Sequence, residues 1–391
     1  MLALRLVRGA HPLVQLRRLL VAAASAGTGF LLLCTLGYAM GHPESSGDAV
    51  LRLAWCVVPL AATVYLAVAV ARSDPGTKPR SGLSAVGLGP ARLTLLASVS
   101  TAVACTLGST LALLFFLHLR GDLTGLPFDG AARGLLAADQ PLPLAATLTL
   151  LAFVPLAAST ASALVLRPRI VRAGGAKAAT DAPQDLKEPA AAPSGLPWGV
   201  ALLAAGLAVE TYAAHARGGA GFPMPGGLGG SPSGVLAGWA LTAVGLALVG
   251  PGLTYQCGRA LQAVRPGAVR LLAGRVLMEE AGRIGRPLGV VCAVASGVYA
   301  ATVLAGARPA LGPLSAIGGV LVVGCTLATL ATAAVEARQV RRHTQTALLR
   351  LGAPATLLRS SAALRAGALL AVFGPLTWAV AELSAAPLLA R

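Results

Sequence analysis

Leu19-Leu-Val-Ala-Ala-Ala-Ser-Ala-Gly-Thr-Gly-Phe-Leu-Leu-Leu-Cys-Thr-Leu-Gly-Tyr-Ala-Met40 runs for 22 residues without a charge, directly after Arg17 and Arg18. A helix rises about 1.5 Å per residue, so ~20 apolar residues suffice to cross a hydrocarbon core about 30 Å thick. With Arg5, Arg8, Arg17 and Arg18 ahead of it, the stretch resembles a secretory signal. It continues to Met40 with no small-residue cleavage site before Gly41, so it reads as an uncleaved first span.

Working outward, eight further blocks have the same character. The candidate spans are 19–40, 53–71, 93–117, 143–166, 197–215, 235–255, 288–307, 313–335 and 366–388. Each is continuously apolar with no in/out alternation, which favours helices over barrel strands. The composition agrees: of 391 residues 56% are hydrophobic and only 12% charged, against about 25% charged in globular domains. Mean hydropathy is +0.75. A large soluble enzyme is excluded, and the fold expected is an all-α polytopic transmembrane helical bundle of about nine spans.

The net charge of +17 would suggest nucleic acid in a soluble chain, but aromatic residues for base stacking make up only 4%. The basic residues flank the apolar blocks instead. With the N-terminus in the cytoplasm, 25 Lys and Arg fall inside and six outside (Arg52, Arg120, Arg133, Arg217, Arg308 and Arg391). That asymmetry is the positive-inside signature of a multi-pass protein of the bacterial cytoplasmic membrane, and an odd span number then places the C-terminus outside. The outer connections, 41–52, 118–142, 216–234 and 306–312, are too short for an extracytoplasmic domain.

Chemistry is sparse. None of the three lysines (Lys78, Lys177, Lys187) follows a glycine, so no phosphate-binding P-loop is present, and H-E-x-x-H and G-x-S-x-G are absent too. No enzymatic activity, cofactor or metal is expected of this chain. The six cysteines are scattered singly through apolar blocks and read as small hydrophobes. Glu210 and Glu382 are the acidic residues inside the candidate spans, each within a turn or two of the outer end. The plain reading is a carboxylate reaching the interface; the sharper one is a cavity or proton-linked role. Gly37/Gly41, Gly234/Gly238 and Gly285/Gly289 are spaced by four, and they read as helix-packing positions ahead of a specific dimer seam.

The inner loops are more distinctive. Over Val335–Arg359, an apolar stripe of Val340, Ala347, Leu348 and Leu351 stands against Arg338, Arg341, Arg342 and Arg350, and Leu351-Gly352-Ala353-Pro354 stops the helix. The pattern predicts a short amphipathic helix on the cytoplasmic membrane surface, either anchored on anionic lipid or docking a partner. A weaker version precedes the third span, where Arg72 and Arg80 lead to Leu88-Gly89, matching Leu351-Gly352. Met1–Arg8 likewise parallels Leu271–Met278, so spans one to three and seven to nine look like two copies of one unit about 265 residues apart. The division expected is a first unit over 1–172, a flexible linker over 173–196, two connecting spans over 197–258 and a second unit over 259–391.

The Leu4-Arg-Leu-Val-Arg8 lead-in, the Ala347-Leu-Leu-Arg-Leu-Gly-Ala-Pro354 stretch and the long apolar segment after it resemble the FtsX-like family of ABC transporter permeases, in its duplicated single-chain form. The resemblance implies two FtsX-like repeat units and a cytoplasmic ABC-type ATPase partner, usually a dimer, that supplies the hydrolysis this chain lacks. It also implies export or extraction of a lipid, lipopeptide or peptide, or transmission of motion across the bilayer. By position, Glu336, Arg338, Arg341, Arg342, Leu348, Arg350, Leu351 and Gly352 would form the main ATPase-coupling helix. Arg72, Arg80, Leu88 and Gly89 would form a weaker second coupling loop. An ion-coupled carrier using Glu210 or Glu382, or a non-transporting scaffold or sensor, is the alternative.

Overall fold

The structure is a computed structural model, and it describes residues 12–74, 90–123, 130–167, 192–215, 221–223, 230–263, 267–305, 312–352 and 354–389. Ten α-helices account for most of them: α1 (Pro12–Gly41), α2 (Ser46–Trp55), α3 (Val57–Ser73), α4 (Pro90–Arg120), α5 (Leu144–Leu166), α6 (Leu196–His215), α7 (Ser233–Gln262), α8 (Ala268–Ala305), α9 (Pro313–Arg350) and α10 (Ala355–Leu389). A small antiparallel pair, β1 (Gly221–Pro223) and β2 (Gly230–Pro232), lies between α6 and α7 with Phe222 opposite Ser231. Among the described residues nine segments are long and apolar enough to cross a membrane, with α2 and α3 together forming one of them. The chain is an all-α polytopic bundle, and a multi-pass membrane protein.

Most spans lie where the apolar blocks predict them, and the helices overrun the blocks at one end. The seventh block begins at 288, yet α8 starts at Ala268. The ninth begins at 366, yet α10 starts at Ala355 and runs unbroken through Pro375. Charged residues do not end a helix once its backbone is hydrogen-bonded and its apolar side is packed, so hydropathy marks the membrane-embedded part and not the helix itself. The connection after the first span is also more ordered than a loop, since Ser46–Trp55 is the amphipathic helix α2, with Arg52 stacked 3.5 Å over the Tyr38 ring. Arg80, Leu88, Gly89 and the greater part of the 173–196 linker lie outside the described residues.

Two bundles result. In the first, α1 packs on α4, α3 and α5; in the second, α8 packs on α7, α10 and α9, and α6 closes against α7 and α10. The contact pattern repeats: the first and third spans of each triplet (α1 with α4, α8 with α10) pack closely, and the first also touches the second (α1 with α3, α8 with α9). The bundles meet through the two second spans, because α9 lies against α3 and α1. At that seam Val21, Ala24, Leu66, Ala67, Cys105 and Cys325 form one buried apolar cluster. Thr28 and Thr63 hydrogen-bond at 2.8 Å beside it, and the Thr63 hydroxyl lies 3.9 Å from Cys325 Sγ.

Without a hydrophobic drive between helices in lipid, close backbone approach decides where they cross. A Cβ on Gly250 of α7 would stand 2.1 Å from the Gly285 carbonyl oxygen of α8, and one on Gly289 would stand 2.2 Å from that of Leu246. Gly285 and Gly289 therefore serve intramolecular packing. All six cysteines are free and buried, as small apolar fillers.

Gly250→Ala is accordingly expected to destabilise the chain by about 1–3 kcal/mol. Gly319→Ala on α9, where nothing stands within 4 Å of the added carbon, is expected to be neutral or slightly stabilising. Thermal unfolding in detergent checks this, and equal midpoints for the two variants would contradict the close α7–α8 crossing.

Candidate functional site

From Cys325 to Leu351 the sequence contains neither glycine nor proline, so nothing stops the eighth span where its apolar part ends. The result is a single 38-residue helix, α9, about 57 Å long at 1.5 Å per residue. That is nearly twice the hydrocarbon thickness, so its last third stands beyond it. The separate short surface helix expected over Glu336–Arg350 is thus corrected: that stretch is the rigid continuation of a span. The stop comes at the predicted place. Leu351 N–H donates to the Ala347 carbonyl at 3.0 Å and Gly352 N–H to that of Leu349 at 3.1 Å. Gly352 has φ of +87°, which a side chain would strain, and α10 begins three residues on.

The eight residues nominated on this segment sort into two faces. Ala337 is fully buried, and Glu336 and Arg341 are half-buried toward neighbouring helices. Arg338, Arg342, Arg350, Leu351 and Gly352 are exposed, Leu351 at 84%, with Val340 and Leu349 also half in the open. The side chain of Leu348 is outside the described residues. The outward face is therefore basic with apolar relief, and the inward face is ionic. Arg72, at the end of α3, is exposed at the same arginine-rich end.

The inward face closes on a residue that hydropathy places in a loop. Glu280 of α8 is only 6% exposed, ion-paired with Arg341 of α9, and has Arg365 of α10 3.9 Å from its second oxygen. One carboxylate ties three helices. The usable signal was Glu279-Glu280 as the sole acidic pair among Arg275, Arg283 and Arg286, a charge pattern that calls for an internal ion pair. In the first bundle the equivalent tie has its charges reversed: Arg18 of α1 pairs with Asp74, just after α3, at 2.7 Å. Beside it Arg17 donates to the Ser73 hydroxyl at 3.0 Å, with Glu336 of α9 within electrostatic reach of Arg17. So α9 carries an acid toward one bundle and a base toward the other.

Glu210 and Glu382 belong to the second bundle and stand well away from this end, near the far termini of α6 and α10. Glu382 accepts a 2.7 Å hydrogen bond from the Tyr299 hydroxyl of α8. Glu210 is 1% exposed and bonded to Thr242 of α7, so the reading of a carboxylate reaching the interface is corrected for this residue. Gly206, one turn earlier on α6, and Gly238 of α7 let the two helices come close enough to enclose it. Along the seam between bundles runs an apolar groove of about 450 Å³, lined by Leu20, Ala24, Leu66, Ile317, Leu321 and Ala328 among others. Among the described residues no three His, Cys, Asp or Glu side chains gather as metal ligands would.

Compared with protein-family models, with curated proteins and with solved structures, the chain matches none.

Because Glu280 is buried between two guanidinium groups, Glu280→Ala leaves uncompensated charge and is expected to cost about 3 kcal/mol. Arg342→Ala, on the exposed face, is expected to stay within about 0.5 kcal/mol of the parent. Thermal unfolding in lipid nanodiscs separates the two, and identical midpoints would remove Glu280 from its bridging role.

Proposed function

We propose that this chain is the membrane-spanning permease half of an ABC-type transporter, and that a separate ATPase docks on its arginine-rich end. The observation that carries this reading is α9: a span that continues past the bilayer as a stiff rod, exposing Arg338, Arg342, Arg350 and Leu351 outward while Arg341 holds Glu280 inward. A rod gripped at its base and free at its tip suits a lever. Force applied to the α9–α10 hairpin passes through Glu280 into α8 and, along the seam, into α1 and α3. A loose surface helix would dissipate it.

The repeated contact pattern supports two units moving as rigid bodies about the α3–α9 seam. The distribution of basic residues supports a cytoplasmic position for the arginine-rich end, where nucleotide is available. Because the described lining of the seam groove is apolar, a substrate with a hydrocarbon part (a lipid, lipopeptide or acylated peptide) suits it better than a hydrophilic solute.

The test is recovery of partners from native membranes with a tagged chain. Wild type is expected to bring down an ABC-type ATPase. Arg338→Glu, Arg342→Glu and Arg350→Glu combined are expected to reduce its recovery at least tenfold without altering thermal stability. Failure of the well-folded wild type to retain any ATPase under gentle solubilisation would overturn the reading.

A further inference from the structure

The carboxyl of Glu210 has a built enclosure that the coupling reading does not use. It sits on α6 about six residues from the helix end, enclosed by α7 and α10, and is 1% exposed. Thr242 Oγ1 donates to its Oε1 at 2.8 Å, and the Ser384 hydroxyl of α10 lies beside it. Its other oxygen, Oε2, is buried without a hydrogen-bond partner. Space for the side chain exists only because of two glycines: a Cβ on Gly238 would stand 2.4 Å from Glu210 Cγ, and one on Gly206 would stand 2.4 Å from Thr242 Oγ1.

Among the described residues no cation faces this carboxyl. On α6 the nearby titratable groups are Tyr212 and His215, both exposed, the latter hydrogen-bonded to the Thr211 carbonyl. On α7 they are Tyr255, Cys257 and Arg259, at least 13 residues from Thr242 and so about 20 Å away along the helix. On α10, Arg359 and Arg365 lie at the arginine-rich end, while Glu382 is two residues from Ser384. Two helical positions differ by roughly 200°, so Glu382 points instead to Tyr299 of α8, to which it is bonded. An ionised carboxylate inside a membrane bundle with hydroxyls alone for company costs several kcal/mol, whereas the neutral acid needs only a hydrogen bond.

We propose that Glu210, Thr242 and Ser384 form a proton-holding site in which the carboxyl is kept as the neutral acid and exchanges its proton with water. The carbonyl oxygen, Oε1, accepts from Thr242, and Oε2 carries the exchangeable proton. The ligand is the proton, and the site makes the second bundle sensitive to pH independently of any ATPase.

Infrared spectroscopy of the full chain in lipid bilayers tests this directly. Wild type is expected to show a protonated-carboxyl C=O stretch that shifts in heavy water, and Glu210→Gln is expected to remove it. Glu382→Gln is expected to leave it in place. Should Glu210→Gln fail to fold, Thr242→Val serves instead, since loss of the donated hydrogen bond must move the band to higher frequency. Absence of the band, or its persistence in Glu210→Gln, would overturn the assignment. A band that never shifts in heavy water would mean a trapped structural proton and would overturn the exchange.

Discussion

One helix has to satisfy two bundles at once. α9 follows α8 in the chain, yet its membrane-embedded part lies against α3 and α1, where Leu321 fits over Gly27 and Cys325 meets Thr63. Its lower end then returns to α8 through Arg341 and Glu280. Lipid tails are as apolar as the leucines they would replace, so burial alone cannot hold these bundles together. Close packing at small residues and a few polar ties must do so. The Thr63–Cys325 contact and the absence of bulk at Gly27 under Leu321 are the means.

The ionic contacts have a different task. A buried ion pair such as Arg341–Glu280 roughly balances its desolvation against its attraction, and a part-exposed one such as Arg18–Asp74 is screened by solvent, so both add little net stability. What they fix is the rotation and height of each helix, because only one register brings the charges together. Both ties lie at the arginine-rich end, and both bind the first span of a triplet to the second or its end, with the signs exchanged. At the far end the ion pair among the described residues is local, Arg120 with Asp122, and the connection after α4 tucks Leu136 into the core beside Leu33 and Phe116. The interhelical ion pairs among the described residues thus lie at the end where the exposed face of α9 is.

The spans were legible because twenty uncharged residues admit few other fates, and the stop at Leu351-Gly352 because glycine in the left-handed region ends helices for a stated steric reason. Helix extent beyond the membrane was not legible. Hydropathy falls at Arg338 and rises at 366, but the backbone neither breaks at the first nor waits for the second, and Glu280 was hidden in the like gap before 288, where α8 already runs from Ala268. The roles of Glu336 and Arg341 could not be told from those of Arg338 and Arg342 either, since two adjacent turns of a basic helix look alike until neighbours α1 and α8 are in place. Glu210 was visible as an intramembrane acid, but its enclosure depends on Gly206, Gly238 and Ser384, which lie up to about 175 residues away.

The placement of α9 against the first bundle is most directly tested by cross-linking. Cys34, Cys56, Cys105, Cys257 and Cys292 are replaced by alanine, Thr63→Cys is introduced opposite native Cys325, and a protease site is inserted within residues 173–196. After oxidation in the membrane and cleavage, the two fragments should remain joined until a reductant is added, while a control keeping Cys292 in place of Cys325 should separate. Complete separation of the Thr63→Cys fragments in folded protein would contradict a shared α9, and with it the lever.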